Sequence, residues 1–223
     1  MTLPQQAGTL PLHGFVLAGG KSARMGADKA RLRFQGRPMV ELAVEKLRGF
    51  CAEVSIAGNR ADLGEFAPVV PETRLEIGPG AGIEAGLAAS RQPWAVFLPV
   101  DVPLVPWRLL RRWSEATLAR QGLAASYLRC AGNQSAFCIL RSDCKQRWSL
   151  GLDQGLRRLE DLLQMASAGG IWACDTQDLA GVADRRLPAH WFTNINTPRE
   201  LALAEHWAQQ GGSAWLEDRN FIR

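Results

Sequence analysis

Leu17-Ala18-Gly19-Gly20-Lys21-Ser22-Ala23-Arg24-Met25-Gly26-Ala27-Asp28-Lys29-Ala30 decides how this chain is read. The apolar run before it, Gly14-Phe15-Val16-Leu17, reads as a buried strand. That strand empties into a loop with three glycines (Gly19, Gly20, Gly26) and three cations (Lys21, Arg24, Lys29). Where no Cβ stands in the way, backbone amides can close on a ligand. Converging N–H donors and positive charge at a strand end are what a polyphosphate requires. Two commoner phosphate loops do not fit. Gly20-Lys21-Ser22 supplies the end of G-x-x-x-x-G-K-[ST], but the first glycine of that loop would fall on Phe15. G-x-G-x-x-G fails because Gly19 and Gly20 are adjacent.

Downstream, strand and helix patterns alternate. Pro38 opens a helix whose Met39, Val40, Leu42, Ala43, Leu47 and Phe50 form a core-facing stripe. Glu53–Ala57 reads as a strand ending in Gly58-Asn59-Arg60. Pro68–Pro71 is a short strand followed by Glu72, and Gly78–Gly86 is a turn leading into a helix. Trp94–Val100 is the most continuous apolar run, as expected of a central parallel strand, and it ends at Asp101. Ala124–Leu128 and Ser135–Leu140 read as two further strands. Thr197-Pro198-Arg199-Glu200 combines a capping box with a proline in the first turn of the last helix. The alternation predicts an α/β fold, Rossmann-like, with a mostly parallel sheet between two helical layers. Such sheets bind ligands at the carboxyl ends of their strands, which gathers the glycine loop, Asn59, Glu72 and Asp101 on one edge. We read residues 14–210 as one domain, 1–13 as a flexible leader and 211–223 as a tail.

Composition narrows the function. In 223 residues, 47% are hydrophobic and 22% charged, as in ordinary globular proteins. The net charge of +4 suits an anionic ligand, but the arginine pairs are scattered, so no nucleic-acid stripe forms. The five cysteines include no C-x-x-C pair, which reads as reduced core residues of a cytoplasmic protein. No run is long enough to span a membrane. Asp101, directly after a buried strand, is a candidate ligand for Mg²⁺, which takes one or two carboxylates together with substrate phosphate oxygens.

The motif L-A-G-G-x-S-x-R-M-G-x-D-K, from Leu17 to Lys29, resembles the signature of the molybdenum cofactor guanylyltransferase-like family. These enzymes belong to the nucleotide-diphospho-sugar transferase group of NTP-transferases. The resemblance runs from Gly14 to about Glu205 and is thin between Arg108 and Leu187. It implies the three-layer fold of that group, and transfer of GMP from GTP to the phosphate of molybdopterin with release of pyrophosphate. It implies that Leu17, Ala18, Gly19, Gly20, Lys29, Asn59, Glu72, Gly82 and Asp101 bind the nucleotide. Arg24, Lys29 and Asp101 would be catalytic, with Asp101 in Pro99-Val100-Asp101-Val102-Pro103 holding Mg²⁺. Asn194 and Asn196, in an N-x-N-T-P segment, would face the acceptor. Capping of the last helix is the competing role for Asn196. GTP and molybdopterin are the implied small-molecule partners, with transient contact to molybdoenzymes or cofactor-insertion proteins.

Three positions depart from the family pattern. Glu72 replaces aspartate, Gly80 replaces a leucine and implies a looser loop around the base, and Gln134-Ser135 replaces a segment that commonly carries proline. Alternatives stay open. Cytidylyl transfer to the same pterin, or transfer to a sugar phosphate, needs the same Asp101, although A-G-G resembles the guanylyl branch more than the A-A-G of the cytidylyl branch. The departures motivate a nucleotide-binding protein without turnover. Gly80-x-Gly82-x-x-x-Gly86 weakly resembles a dinucleotide fingerprint, but no convincing strand precedes it.

Overall fold

The computed structural model describes residues 8–19, 28–75, 77–179 and 189–210. In chain order these form β1 (Leu10–Leu17), β2 (Arg33–Phe34), β3 (Arg37–Pro38), α1 (Met39–Arg48), β4 (Cys51–Ala57) and β5 (Val69–Val70). Then come α2 (Pro79–Ala89), β6 (Trp94–Pro99), α3 (Trp107–Leu118), β7 (Ala125–Arg129), β8 (Asn133–Arg141) and α4 (Lys145–Asp153). The rest are α5 (Leu159–Ser167), β9 (Ile171–Asp175), α6 (Thr176–Leu179) and α7 (Pro198–Gln210). Pro38 caps α1 from outside rather than occupying its first turn.

Seven strands build one sheet in the order β5-β4-β1-β6-β8-β7-β9. All neighbours are parallel except β8, which runs antiparallel to both β6 and β7. The sheet is therefore mostly parallel, as the strand–helix alternation predicts. From β1 the chain first builds outward through β4 and β5, then returns to place β6 on the other side of β1. That reversal makes the β1–β6 seam the switch point of the sheet.

Burial on both faces explains the continuous apolar runs. Along β6, Val96 and Leu98 enter one core cluster with Leu47, Leu110 and Trp113, while Ala95 and Phe97 enter the other with Ile83, Trp148 and Leu162. Successive strand side chains point to opposite faces, so a strand between two helical layers must be apolar at every position. The result is an α/β/α sandwich, the three-layer architecture that the sequence leads one to expect. α1, α3 and α7 contribute to the first core cluster, and α2, α4 and α5 to the second. Gly86 lets α2 lie close on the sheet, since a Cβ there would come within 2.6 Å of the Phe97 ring. All five cysteines are free and buried. Among the described residues no helix is long and apolar enough to cross a membrane.

Candidate functional site

The carboxyl ends of β1 and β6 lie side by side at the switch point, where the Val100 N–H bonds the Leu17 carbonyl at 3.2 Å. The cleft they open is about 510 Å³. Leu17, Ala18, Gly19, Lys29, Asp101 and Asn194 all line it, so residues far apart in sequence meet at one edge. Gly20 and Arg24 lie outside the described residues.

Asp101 and Lys29 form the charged centre. The Lys29 ammonium donates to Asp101 Oδ2 at 3.1 Å and to Asn196 Oδ1. The Asp101 carbonyl accepts the Ile195 N–H at 2.8 Å, which brings the Asn194–Asn196 segment beside β6. Capping of α7 falls to other residues. Thr197 Oγ1 accepts the Glu200 N–H at 3.2 Å, and Glu200 Oε2 accepts the Asn196 N–H at 2.7 Å. The Asn196 side chain is thereby released from the capping role and engages Lys29 instead.

Asp101 suits a hard cation. Its carboxylate stands half-buried at a strand end, with Lys29 on Oδ2. Among the described residues no three His, Cys, Asp or Glu side chains gather into a metal cluster. A cation here would take one carboxylate from these residues and the rest of its shell from phosphate oxygens and water, which is the usual coordination of Mg²⁺. Beneath this segment the Lys46 ammonium, in the last turn of α1, donates to the Pro103 carbonyl. Burial pushes that ammonium down to about 7.

Asn59, Glu72 and Gly82 form a group behind Gly19. Asn59 Oδ1 accepts the Glu72 N–H at 3.1 Å and ties the loop after β4 to the loop after β5. A Cβ at Gly19 would lie 2.3 Å from Glu72 Oε1, and one at Gly82 would lie 3.0 Å from Leu17 and 3.2 Å from Glu72 Oε1. The glycines therefore leave room for the longer carboxylate. Gly58, at φ +150°, presses against the Gly19 amide in the same way. Burial raises the Glu72 carboxyl above its ordinary value. A raised folded-state pKa contributes stability that is full below the unfolded pKa and lost as pH rises through the folded one. Glu72→Gln is therefore expected to raise Tm at about pH 7, with the gain shrinking towards about pH 3. A gain of equal size at both pH values in thermal melts would show that desolvation is not its cause.

Gly80 does not loosen its loop. It sits buried in the first turn of α2, where a Cβ would meet Leu152 and Leu162 at 3.3 and 3.4 Å. Its carbonyl accepts the Trp148 indole N–H at 3.0 Å. Packing from α4 and α5 takes the place that a leucine side chain would fill.

Several cleft residues escaped the sequence reading. Asp28 takes a two-pronged contact from the Arg60 guanidinium, Nη1 to Oδ1 being 2.9 Å, and its Oδ1 also accepts the Ala30 N–H at 3.0 Å. Burial alone would raise the Asp28 carboxyl, but the Arg60 contact outweighs it and holds the group below its usual range. Asp28 so anchors the point where the glycine loop rejoins the described chain, next to Lys29. The signal was its fixed place before Lys29 in the motif. Asn133 and Glu160 also line the cleft, and no local motif marks them.

The chain is similar to several known proteins. A molybdenum cofactor guanylyltransferase of Polynucleobacter asymbioticus is 28% identical over 203 residues, covering 86% of this chain and 94% of that protein. One from Yersinia pestis is 29% identical over 198 residues, with the same coverage. Among solved structures, molybdopterin-guanine dinucleotide biosynthesis protein A from Archaeoglobus fulgidus superposes with a TM-score of 0.71 at 21% identity, over 89% of this chain and 99% of that one. The 2-C-methyl-D-erythritol 4-phosphate cytidylyltransferase of Thermus thermophilus shares the fold with a TM-score of 0.61 at 20% identity, over 87% and 98%. The MobA-like NTP transferase domain model matches residues 14–168, more than half of the chain, and the chain belongs to that family of nucleotidyltransferases.

Proposed function

We propose that this nucleotidyltransferase moves GMP from GTP to the phosphate of molybdopterin and releases pyrophosphate, in the cytoplasm and with Mg²⁺. The carrying observation is Lys29, held between Asp101 and Asn196 at the mouth of the switch-point cleft. One cation there touches both the expected metal carboxylate and the segment expected to face the acceptor. The guanylyltransferase names of the relatives support guanine and molybdopterin. Five buried free thiols support a reducing compartment.

The chemistry asks for position and charge. Leu17, Ala18 and Gly19 present backbone to the nucleotide, and the cations of the glycine loop, Arg24 among them, neutralise the triphosphate. Lys29 orients the α-phosphate. An oxygen of the acceptor phosphate, already ionised, bonds to the α-phosphorus in line as the α–β bridging P–O bond breaks, and pyrophosphate leaves with the electron pair. No proton moves and no side-chain nucleophile is needed. Asp101 would hold the metal; when bound, Mg²⁺ supplies charge neutralisation at the phosphate oxygens. Asn59, Glu72 and Gly82 would flank the base, and Asn194 and Asn196 the acceptor.

Titration of GTP, CTP, ATP and dTTP, each with Mg²⁺, with pyrophosphate release followed on adding molybdopterin, tests this reading. GTP alone should bind and turn over. Preference for CTP would replace the base assignment, and binding without pyrophosphate release would leave only a nucleotide-binding protein. Lys29→Ala is expected to weaken GTP binding by about 1.5–3 kcal/mol, the worth of a charge-assisted contact. Equal GTP affinity in wild type and variant, measured by calorimetry, would remove Lys29 from the nucleotide site.

A further inference from the structure

A second wall of the cleft carries a carboxylate. Along the β7–β8 pair, Tyr127 faces Cys138 but Leu128 faces Gln134. Ser135, Ala136 and Phe137 therefore have no counterpart on β7, and pairing with β6 also begins only at Cys138. Extra residues in one strand re-aim side chains, and such bulges favour the neighbourhood of active sites. Here the bulge turns Ser135, with Asn133 and Gln134, to the cleft wall, where Glu160 from the first turn of α5 joins them. The Ser135 hydroxyl donates to Glu160 Oε1. The Ser135 contact, followed by smaller aids, holds the Glu160 carboxyl below its ordinary value against the effect of burial. It is an ionised acceptor facing a cleft whose other charged groups are the pairs Lys29–Asp101 and Arg60–Asp28.

Chemistry restricts what such a group can meet. A carboxylate has about four lone-pair sites, and the Ser135 hydroxyl uses one of them. It repels phosphate, so the phosphate of an acceptor must lie towards Lys29, with the donor-bearing end towards Glu160. Two parallel N–H groups are its best complement. The amino-amide edge of a 2-amino-4-oxo pyrimidine ring offers that pair, and both a pterin and guanine carry it. Proline, which the family that the sequence resembles commonly carries in the Gln134-Ser135 segment, has no side-chain donor to hold Glu160. Serine has one, so Ser135 and Glu160 work as a pair in this chain.

We infer that Glu160, set in place by Ser135, is the specificity residue that reads the amino-amide edge of the acceptor's pterin ring, which rests on the pterin acceptor proposed for this cleft. The test is calorimetry on the full chain, with 6-hydroxymethylpterin against 6-hydroxymethyl-lumazine, which carries oxygen in place of the 2-amino group. Wild type should prefer the pterin by about tenfold, and Glu160→Gln should bring the two within about twofold. Ser135→Ala, which removes only the hydroxyl, should fall between them, and it carries the comparison if Glu160→Gln does not fold. GTP against ITP, which lacks the same amino group, should be discriminated equally by wild type and variants. Undiminished pterin preference in both variants overturns the assignment. So does wild type that binds GTP but no pterin, and this result leaves nucleotide transfer standing. Loss of GTP-over-ITP discrimination in Glu160→Gln would give Glu160 to the donor base and overturn its acceptor role. Glu160-dependent pterin preference in a chain that releases no pyrophosphate would sink the transfer reading and keep this one.

Discussion

Asp101→Ala is expected to cut pyrophosphate release by on the order of a thousandfold or more, the scale of removing a group aimed at transition-state charge. The fold should survive. The pair with Lys29 is half-buried at the cleft edge, and Lys29 keeps its bond to Asn196 Oδ1 when the carboxylate is removed. The structural contact of residue 101 runs through its carbonyl, which accepts the Ile195 N–H, and alanine keeps that bond. Pyrophosphate release and a thermal melt on the same preparation separate the two effects. A folded variant retaining turnover within about tenfold of wild type would remove Asp101 from the metal role.

Trp148→Ala is expected to destabilise the chain by about 3–5 kcal/mol, as the truncation of a large buried aromatic does. Trp148 is 0% exposed, and it packs in the cluster that holds Leu152, Leu162 and Leu163. Its indole N–H also bonds the Gly80 carbonyl, so α4 braces the first turn of α2 beside the cleft. Trp148→Phe keeps most of the packing and loses that bond, for a cost of about 1–2 kcal/mol. Urea midpoints should fall in the order wild type, Trp148→Phe, Trp148→Ala. An alanine variant unfolding at the wild-type urea concentration would contradict the bracing role.

Much of the scaffold was legible in local pattern. The apolar runs of β1 and β6 announce buried strands, and Thr197-Pro198-Arg199-Glu200 announces the start of α7 with the cap it uses. The place of Asp101 at the cleft was legible because it follows the β6 run, and such sheets open their ligand clefts at the carboxyl ends of their strands. Gly80 misled, because its loss of a side chain is filled from α4 and α5, and their approach depends on packing rather than on residues near Gly80.

The sequence by itself determined the strand–helix alternation, the edge at which the glycine loop and Asp101 emerge, and the kind of ligand that loop suits. These follow from periods of 2 and 3.6 and from residues adjacent along the chain. Only the tertiary structure decided which distant side chains meet. Lys29 bonds Asp101 across 72 residues and Asn196 across 167, and Ser135 bonds Glu160 across 25. Those meetings depend on strand order, on the register slip that frees Ser135–Phe137, and on how α5 packs against the sheet. Each is settled by packing summed over the whole core, of which no local stretch of sequence holds more than a part.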